Sequence, residues 1–201
     1  MVIITGRETL MDIKMLHLFK AFDKVLVLKD VSLTFTEGQV NCLMGASGIG
    51  KTTVINLLMG LISQDSGEVR GMEDKRIAVV FQEDRLIEHW DSVDNVKLVC
   101  SKQITKEMVE EELSRVGLRD YENKQVSTLS GGMRRRVAIV RALLASSNLV
   151  IMDEPFKGLD ENLKKKVLKY VCEKTKGKTV IIVTHDKEEI ELLGANRIVM
   201  E

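Results

Sequence analysis

Eight consecutive residues, Gly45-Ala46-Ser47-Gly48-Ile49-Gly50-Lys51-Thr52, match the pattern G-x-x-x-x-G-K-[ST] at every fixed position. No other stretch of the chain limits its fold so strongly. Glycines at this spacing let the backbone turn so that several N–H groups point into one cavity, at the start of a helix whose dipole also favours negative charge. A nucleoside triphosphate suits such a cavity. The flanks agree: Val40–Met44 reads as a buried strand leading in, and Val54, Leu57, Leu58 and Leu61 fall on one helical face behind the loop. In that frame Lys51 is expected to reach the β- and γ-phosphates, Thr52 to offer its hydroxyl to Mg²⁺, and Thr53 to touch the α-phosphate.

Three further short apolar runs end in polar groups. Arg76–Phe81 stops at Gln82, which reads either as a plain strand terminus or, beside a phosphate loop, as a ligand to Mg²⁺ or to the attacking water. Leu149–Met152 leads into Asp153 and Glu154. Alternation along a strand points the two carboxylates differently, so that one can hold Mg²⁺ while the other faces the γ-phosphate as a candidate general base. The plainer alternative for this pair is an acidic helix cap. Thr179–Thr184, β-branched almost throughout, delivers His185 to a strand-to-helix corner, where doubly wound sheets bind ligands; a γ-phosphate contact is expected there.

The remaining chain supplies the frame. Met15–Phe22 and Val31–Phe35 alternate apolar and polar residues and are expected to form a small antiparallel sheet, with Glu37-Gly38 as the turn into the loop strand. Phe22 lies between them, either as a core residue or as a ring stacked on adenine. Gln64–Glu68 reads as a turn, and Met1–Leu10 as a disordered lead-in or an upstream start. A more polar stretch from Glu83 to Thr128 suggests a helical lobe inserted within residues 83–140. Its Lys106–Val116 helix is capped by Thr105 and shows Met108, Val109, Leu113 and Val116 on one face. Leu129-Ser130-Gly131-Gly132-Met133 then opens a helix with apolar positions Met133, Val137, Val140 and Leu144; Ser130 can cap it, and Gly131 and Gly132 leave N–H groups bare as a second anion-binding helix start. Arg134, Arg135, Arg136 and Arg141, with no aromatic residues interleaved, read as a solvated face rather than a nucleic-acid site. Asp160 caps a helix carrying Leu163, Val167 and Val171 that Gly177 ends, Asp186 and Glu189 are spaced as a capping box, and Asn196–Met200 supplies a last strand.

Composition narrows the partners. With 30 Lys+Arg against 30 Asp+Glu, no global field recruits nucleic acid or an acidic membrane. The 201 residues, 44% hydrophobic and with a single proline, suit one domain with a proper core. No run approaches the ~18 apolar residues of a membrane-spanning helix. Cys42, Cys100 and Cys172 fit no metal-ligand spacing and are expected as reduced, mostly buried thiols.

From about Met11 to Glu201 these motifs, and Leu129-Ser130-Gly131-Gly132 above all, resemble the nucleotide-binding subunit of an ATP-binding cassette (ABC) transporter. The resemblance implies an α/β phosphate-loop ATPase core with a mostly parallel sheet, a small N-terminal antiparallel subdomain and the inserted helical lobe, all within one domain. It implies that Phe22 stacks on adenine, Gly45–Thr53 holds the phosphates of ATP, and Gln82 contacts Mg²⁺ and senses the membrane partner. Ser130 and Gly132 would bind the γ-phosphate of a second subunit's ATP, Asp153 would position Mg²⁺, Glu154 would be the base, Asp160 would lie at the dimer seam and His185 would be the switch residue. The implied partners are a second copy, a transmembrane permease and a substrate-binding protein, with the chain on the cytoplasmic face of the membrane and no nucleic acid bound. Met133 stands where the family usually has Gln, and Lys157-Gly158-Leu159-Asp160 replaces the commoner Ser-Ala-Leu-Asp; neither change removes a phosphate contact, so ATPase activity is expected to survive. Val80–Leu86 is similar to importers of nitrate, sulfonate and taurine, and the C-terminal regulatory domain of some sugar-importer ATPases is not expected. The competing reading is a non-transport ABC ATPase of assembly or repair, and the neighbouring genes would distinguish the two.

Overall fold

The computed structural model describes residues 11–201, so the expectation about Met1–Leu10 lies outside the described residues. Its framework is a five-stranded parallel sheet in the order β5-β6-β7-β3-β8, built from β3 (Val40–Met44), β5 (Ile77–Val80), β6 (Leu149–Asp153), β7 (Thr179–Val183) and β8 (Asn196–Val199). Helices cover it, as parallel strands require of their crossovers. These are α1 (Lys51–Leu58), α4 (Gly131–Leu144), α5 (Glu161–Lys174) and α6 (Lys187–Leu193), with α2 (Ser92–Lys97) and α3 (Lys106–Arg115) packed beside α4.

Strand alternation sorts the core into two layers. Val150 and Met152 of β6, Val180 and Ile182 of β7 and Cys42 of β3 join the helical side, with Val137, Val140, Val167 and Val171. Leu149, Ile151, Ile181, Val183 and Leu43 point the other way, onto α1 and the antiparallel sheet. Each fully buried Ile or Leu contributes roughly 1.5–3 kcal/mol, so a one-residue register slip in β6 or β7, which would exchange the layers, is strongly disfavoured. Burial also pushes the Cys42 thiol up to about 12, keeping it a packing group. All three cysteines are free.

The antiparallel sheet has three strands in the order β2-β1-β4: β1 (Ile13–Phe22), β2 (Val25–Phe35) and β4 (Ser66–Arg70). Two expectations are corrected here. Gln64–Glu68 is not simply a turn, because Ser66 begins an edge strand whose Val69 pairs with Met15. Of its five residues only Val69 is even half-buried, so the run carries no apolar alternation to read. The second strand also starts six residues before Val31, at Val25, across a tight turn at Asp23 and Lys24 that takes both residues to positive φ (46° and 70°) without glycine.

The helices bring smaller corrections. Leu61 is 57% exposed because α1 ends at Leu58 and Gly60 turns the chain away at φ 67°. Met108 is 45% exposed, so α3 buries Val109 and Leu113 with Val116 just beyond, and Thr105 does cap it by accepting from the Met108 N–H. Asp186 caps α6 by accepting from the Glu188 N–H, but Glu189 does not close a box. Its carboxylate accepts instead from the Thr184 hydroxyl at 2.5 Å, and Thr184 Oγ1 in turn accepts from the Asp186 N–H. No described helix is long and apolar enough to cross a membrane.

Candidate functional site

Four strands of the parallel sheet deliver the polar groups to one edge, because parallel strands all end on the same side. The phosphate loop follows β3, Gln82 follows β5, Asp153 and Glu154 follow from β6, and Thr184 and His185 follow β7. Ser47, Gly48, Gly50, Lys51, Thr52 and Thr53 line a cleft with Gln82, Asp153 and Glu154, closed on one side by Val27 of β2. Gly45, Ala46 and Ile49 complete the loop. Gly45 has no room for a side chain, since a Cβ would lie 2.9 Å from the Met200 carbonyl oxygen. Gly50, the residue before α1, holds φ 105°, and a Cβ there would stand 2.7 Å from Leu28 Cδ2. The α1 start carries no side-chain cap, so its N–H groups are left to the cleft. Lys51 Nζ donates to the Gly45 and Ala46 carbonyls, 2.8 Å each, which parks the ammonium over the loop where an anion would meet it.

The two carboxylates are driven in opposite directions. Burial, with Glu154 as its neighbour, raises the pKa of Asp153, which is 8% exposed. The Lys157 ammonium, donating to Glu154 Oε2 at 2.8 Å, holds the Glu154 carboxyl below the usual range. His185 Nδ1 lies 3.9 Å from the other Glu154 oxygen, at an exposed corner. Glu154 itself sits at φ 46°, a left-handed conformation costing a non-glycine residue about 1–2 kcal/mol, held by its N–H donating to the Val183 carbonyl at 3.0 Å. The Lys157 contact favours the ionised carboxylate; Lys157, three residues on, was missed as its partner although the i, i+3 spacing was visible.

For Mg²⁺ the donor chemistry fits. Thr52, Gln82 and Asp153 line one depression and offer a hydroxyl, an amide and a carboxylate, all oxygen donors, and a cation would offset the cost of the buried Asp153 charge. No group of three or more His, Cys, Asp or Glu suited to a metal occurs among the described residues. The protein would therefore supply part of an oxygen shell, as suits an ion held jointly with phosphates.

Other expected residues are placed apart from the cleft. Phe22 is not a core residue: it is 43% exposed at the end of β1, with Lys20 Nζ 5.4 Å from its ring centroid. Ser130 caps α4 by accepting from the Met133 N–H, and Ser130, Gly131 and Gly132 are not among the cleft-lining residues. They lie by the loop before α5, where a Cβ on Gly132 would stand 3.6 Å from the Gly158 carbonyl oxygen. Asp160 caps α5.

The arginines of α4 are a correction. Arg135 and Arg136 are buried and Arg141 is half-buried, because their guanidinium groups reach backbone carbonyls: Arg136 those of Val116 and Gly117, Arg141 those of Asp84 and Arg85, and Arg135 those of Phe81 and Gln82. A charge pattern alone does not reveal acceptors so far away in sequence.

A phosphate loop at the carboxyl edge of a parallel sheet, with two carboxylates across the cleft, defines a nucleoside triphosphatase site. A family model described as ABC transporter matches residues 28–157. The taurine import ATP-binding protein TauB of Roseobacter denitrificans is 39% identical over 193 residues, covering 89% of this chain and 71% of that protein. The spermidine/putrescine import ATP-binding protein PotA of Mycoplasma capricolum subsp. capricolum is 35% identical, covering 90% of this chain and 56% of that protein, so the chain spans little more than half of this relative. Among solved structures, the dimeric bacterial ABC transporter cassette MJ0796 superposes with a TM-score of 0.80 at 28% identity, covering 94% of both chains, and a dimeric post-hydrolysis state of the same cassette bound to ADP and Pi does so at 0.79. The chain belongs to the ABC transporter family, as an ATP-binding and ATP-hydrolysing subunit.

Proposed function

We propose that two copies of this chain close face to face around ATP, and that a membrane permease converts closure and release into import. The observation that carries this reading is the single cleft shared by Lys51, Thr52, Gln82, Asp153 and Glu154. Lys51 and the loop N–H groups hold the phosphates, and Thr53 reaches the α-phosphate. Thr52, Gln82 and Asp153 hold Mg²⁺, which when bound neutralises phosphate charge. Glu154 takes the proton of the attacking water, and His185 reaches the γ-phosphate. Phe22 stacks on adenine, while Ser130, Gly131 and Gly132 close on the nucleotide of the second copy, with Asp160 at the seam. The chain works at the cytoplasmic membrane face, with a substrate-binding protein delivering cargo to the permease. The Val80–Leu86 run and the taurine relative favour a sulfonate-type cargo.

Glu154→Gln tests the chemistry. It keeps shape and polarity but removes the proton acceptor, so ATP binding is retained while hydrolysis falls by on the order of 10²–10⁴-fold. Hydrolysis at the wild-type rate would mean that Glu154 is not the base.

A further inference from the structure

The segment Phe81–Arg85, which carries Gln82, leaves the end of β5 without belonging to a strand or helix. Its position is fixed from α4. Arg135 donates to the Phe81 and Gln82 carbonyls, and its Nε lies 3.2 Å from Asp84 Oδ1. Arg141 donates to the Asp84 carbonyl at 3.0 Å and the Arg85 carbonyl at 2.9 Å. Four of the five carbonyls in the segment are therefore held by two side chains of one helix. The Arg85 guanidinium, 3.8 Å from the Phe81 ring centroid, folds the segment onto itself.

Arg135 is 9% exposed, so it has exchanged water for these acceptors, and charge-assisted hydrogen bonds of this kind are about twice as strong as neutral ones. A fork of five donors suits the task, since neighbouring carbonyls can be held at once. Arg135 lies five residues beyond Ser130, the cap of the same helix, about 7.5 Å along its axis, with no break between them. A packed helix transmits displacement as a rigid element.

We propose that Arg135, assisted by Arg141, is a positioning residue that makes the Gln82 loop move with the Ser130 end of α4, so that what Ser130 meets is delivered to Gln82 at the cleft. This rests on the reading that Gln82 serves the ATP site. Arg135 is not among the residues that line the cleft; it acts through the loop backbone.

The test uses Arg135→Gln, Arg135→Lys and Gln82→Ala in the full chain, with two readouts. In nucleotide-free protein, the initial rate of tryptic cleavage after Arg85 reports loop release. It rises about tenfold in Arg135→Gln and less in Arg135→Lys, which keeps the charge and loses the fork. In steady-state hydrolysis, Arg135→Gln lowers kcat by about tenfold to a hundredfold with the KM for ATP unchanged, the signature of a displaced group rather than of a damaged binding cleft. In the Gln82→Ala background the same substitution produces no further loss, because its effect passes through Gln82. Arg135→Lys shows the same non-additivity and serves should the glutamine variant fail to fold. Unchanged cleavage after Arg85, or an equal fall in kcat with and without Gln82, overturns the proposal. If Gln82→Ala alone hydrolyses ATP at the wild-type rate, the assignment of Gln82 to the site is what fails, and the cleavage rates still judge the tether.

Discussion

Two helices in this chain begin in a way that favours an anion, and they are built oppositely. The start of α1 is closed in by its own subunit: Gly50 is held at φ 105° against Leu28, Gly45 lies under the Met200 carbonyl, and Lys51 covers the loop. The start of α4 is open. Ser130 caps it, Gly131 is exposed with nothing within 4 Å of where a Cβ would stand, and Ser130, Gly131 and Gly132 are not among the residues that line the cleft. The first needs only its own chain to enclose a phosphate. The second, with Gly131 exposed, encloses no anion within its own chain, which is the physical reason for seeking a counterpart on a second copy.

Alanine substitutions sharpen the contrast. Gly50→Ala forces a Cβ into a left-handed position beside Leu28, a strain of roughly 1–3 kcal/mol felt directly by the loop N–H groups. ATP affinity of the isolated subunit should therefore fall about tenfold or more, as read by equilibrium binding. Phe22→Ala belongs to the same half and should weaken ATP binding by roughly 1–3 kcal/mol, the range for a base stacked on an aromatic ring, with kcat at saturating ATP little changed. Unaltered affinity there would remove Phe22 from the site. Gly131→Ala has the smallest expected effect on the isolated subunit. Its Cβ meets nothing, so stability should rise by about 0.5–1 kcal/mol and ATP affinity should stay the same, while ATP-driven dimer formation weakens. A loss of monomer affinity in Gly131→Ala would break the comparison.

The same contrast governs what could be read without a structure. The phosphate loop, the apolar runs of β3, β6 and β7, and the polar groups at their ends were legible because local spacing and β-branched content specify them. β4 was hidden because a polar edge strand with one half-buried Val69 has no alternation. The Asp23-Lys24 turn lacked the glycine that usually marks positive φ. Arg135, Arg136 and Arg141 were misread as a solvated face because their acceptors are backbone carbonyls 19 to 57 residues away, and a carbonyl has no sequence signature. The opposed shifts of Asp153 and Glu154 were equally invisible, since they come from burial in one case and from Lys157 in the other.

The central claim is that each ATP lies between the closed half of one copy and the open half of another. A Lys51→Ala dimer has two defective phosphate loops and a Ser130→Arg dimer two defective α4 starts, so neither retains ATP. In a mixed dimer of the two variants, differently tagged and purified through both tags, one site carries both defects and the other pairs an intact loop with an intact Ser130. The measurement is the nucleotide retained per mixed dimer after rapid removal of free ATP. The account predicts one retained ATP per mixed dimer, against none for either parent. Stable mixed dimers that retain no more than their parents would contradict it, and would leave Ser130 as no more than the cap of its own helix.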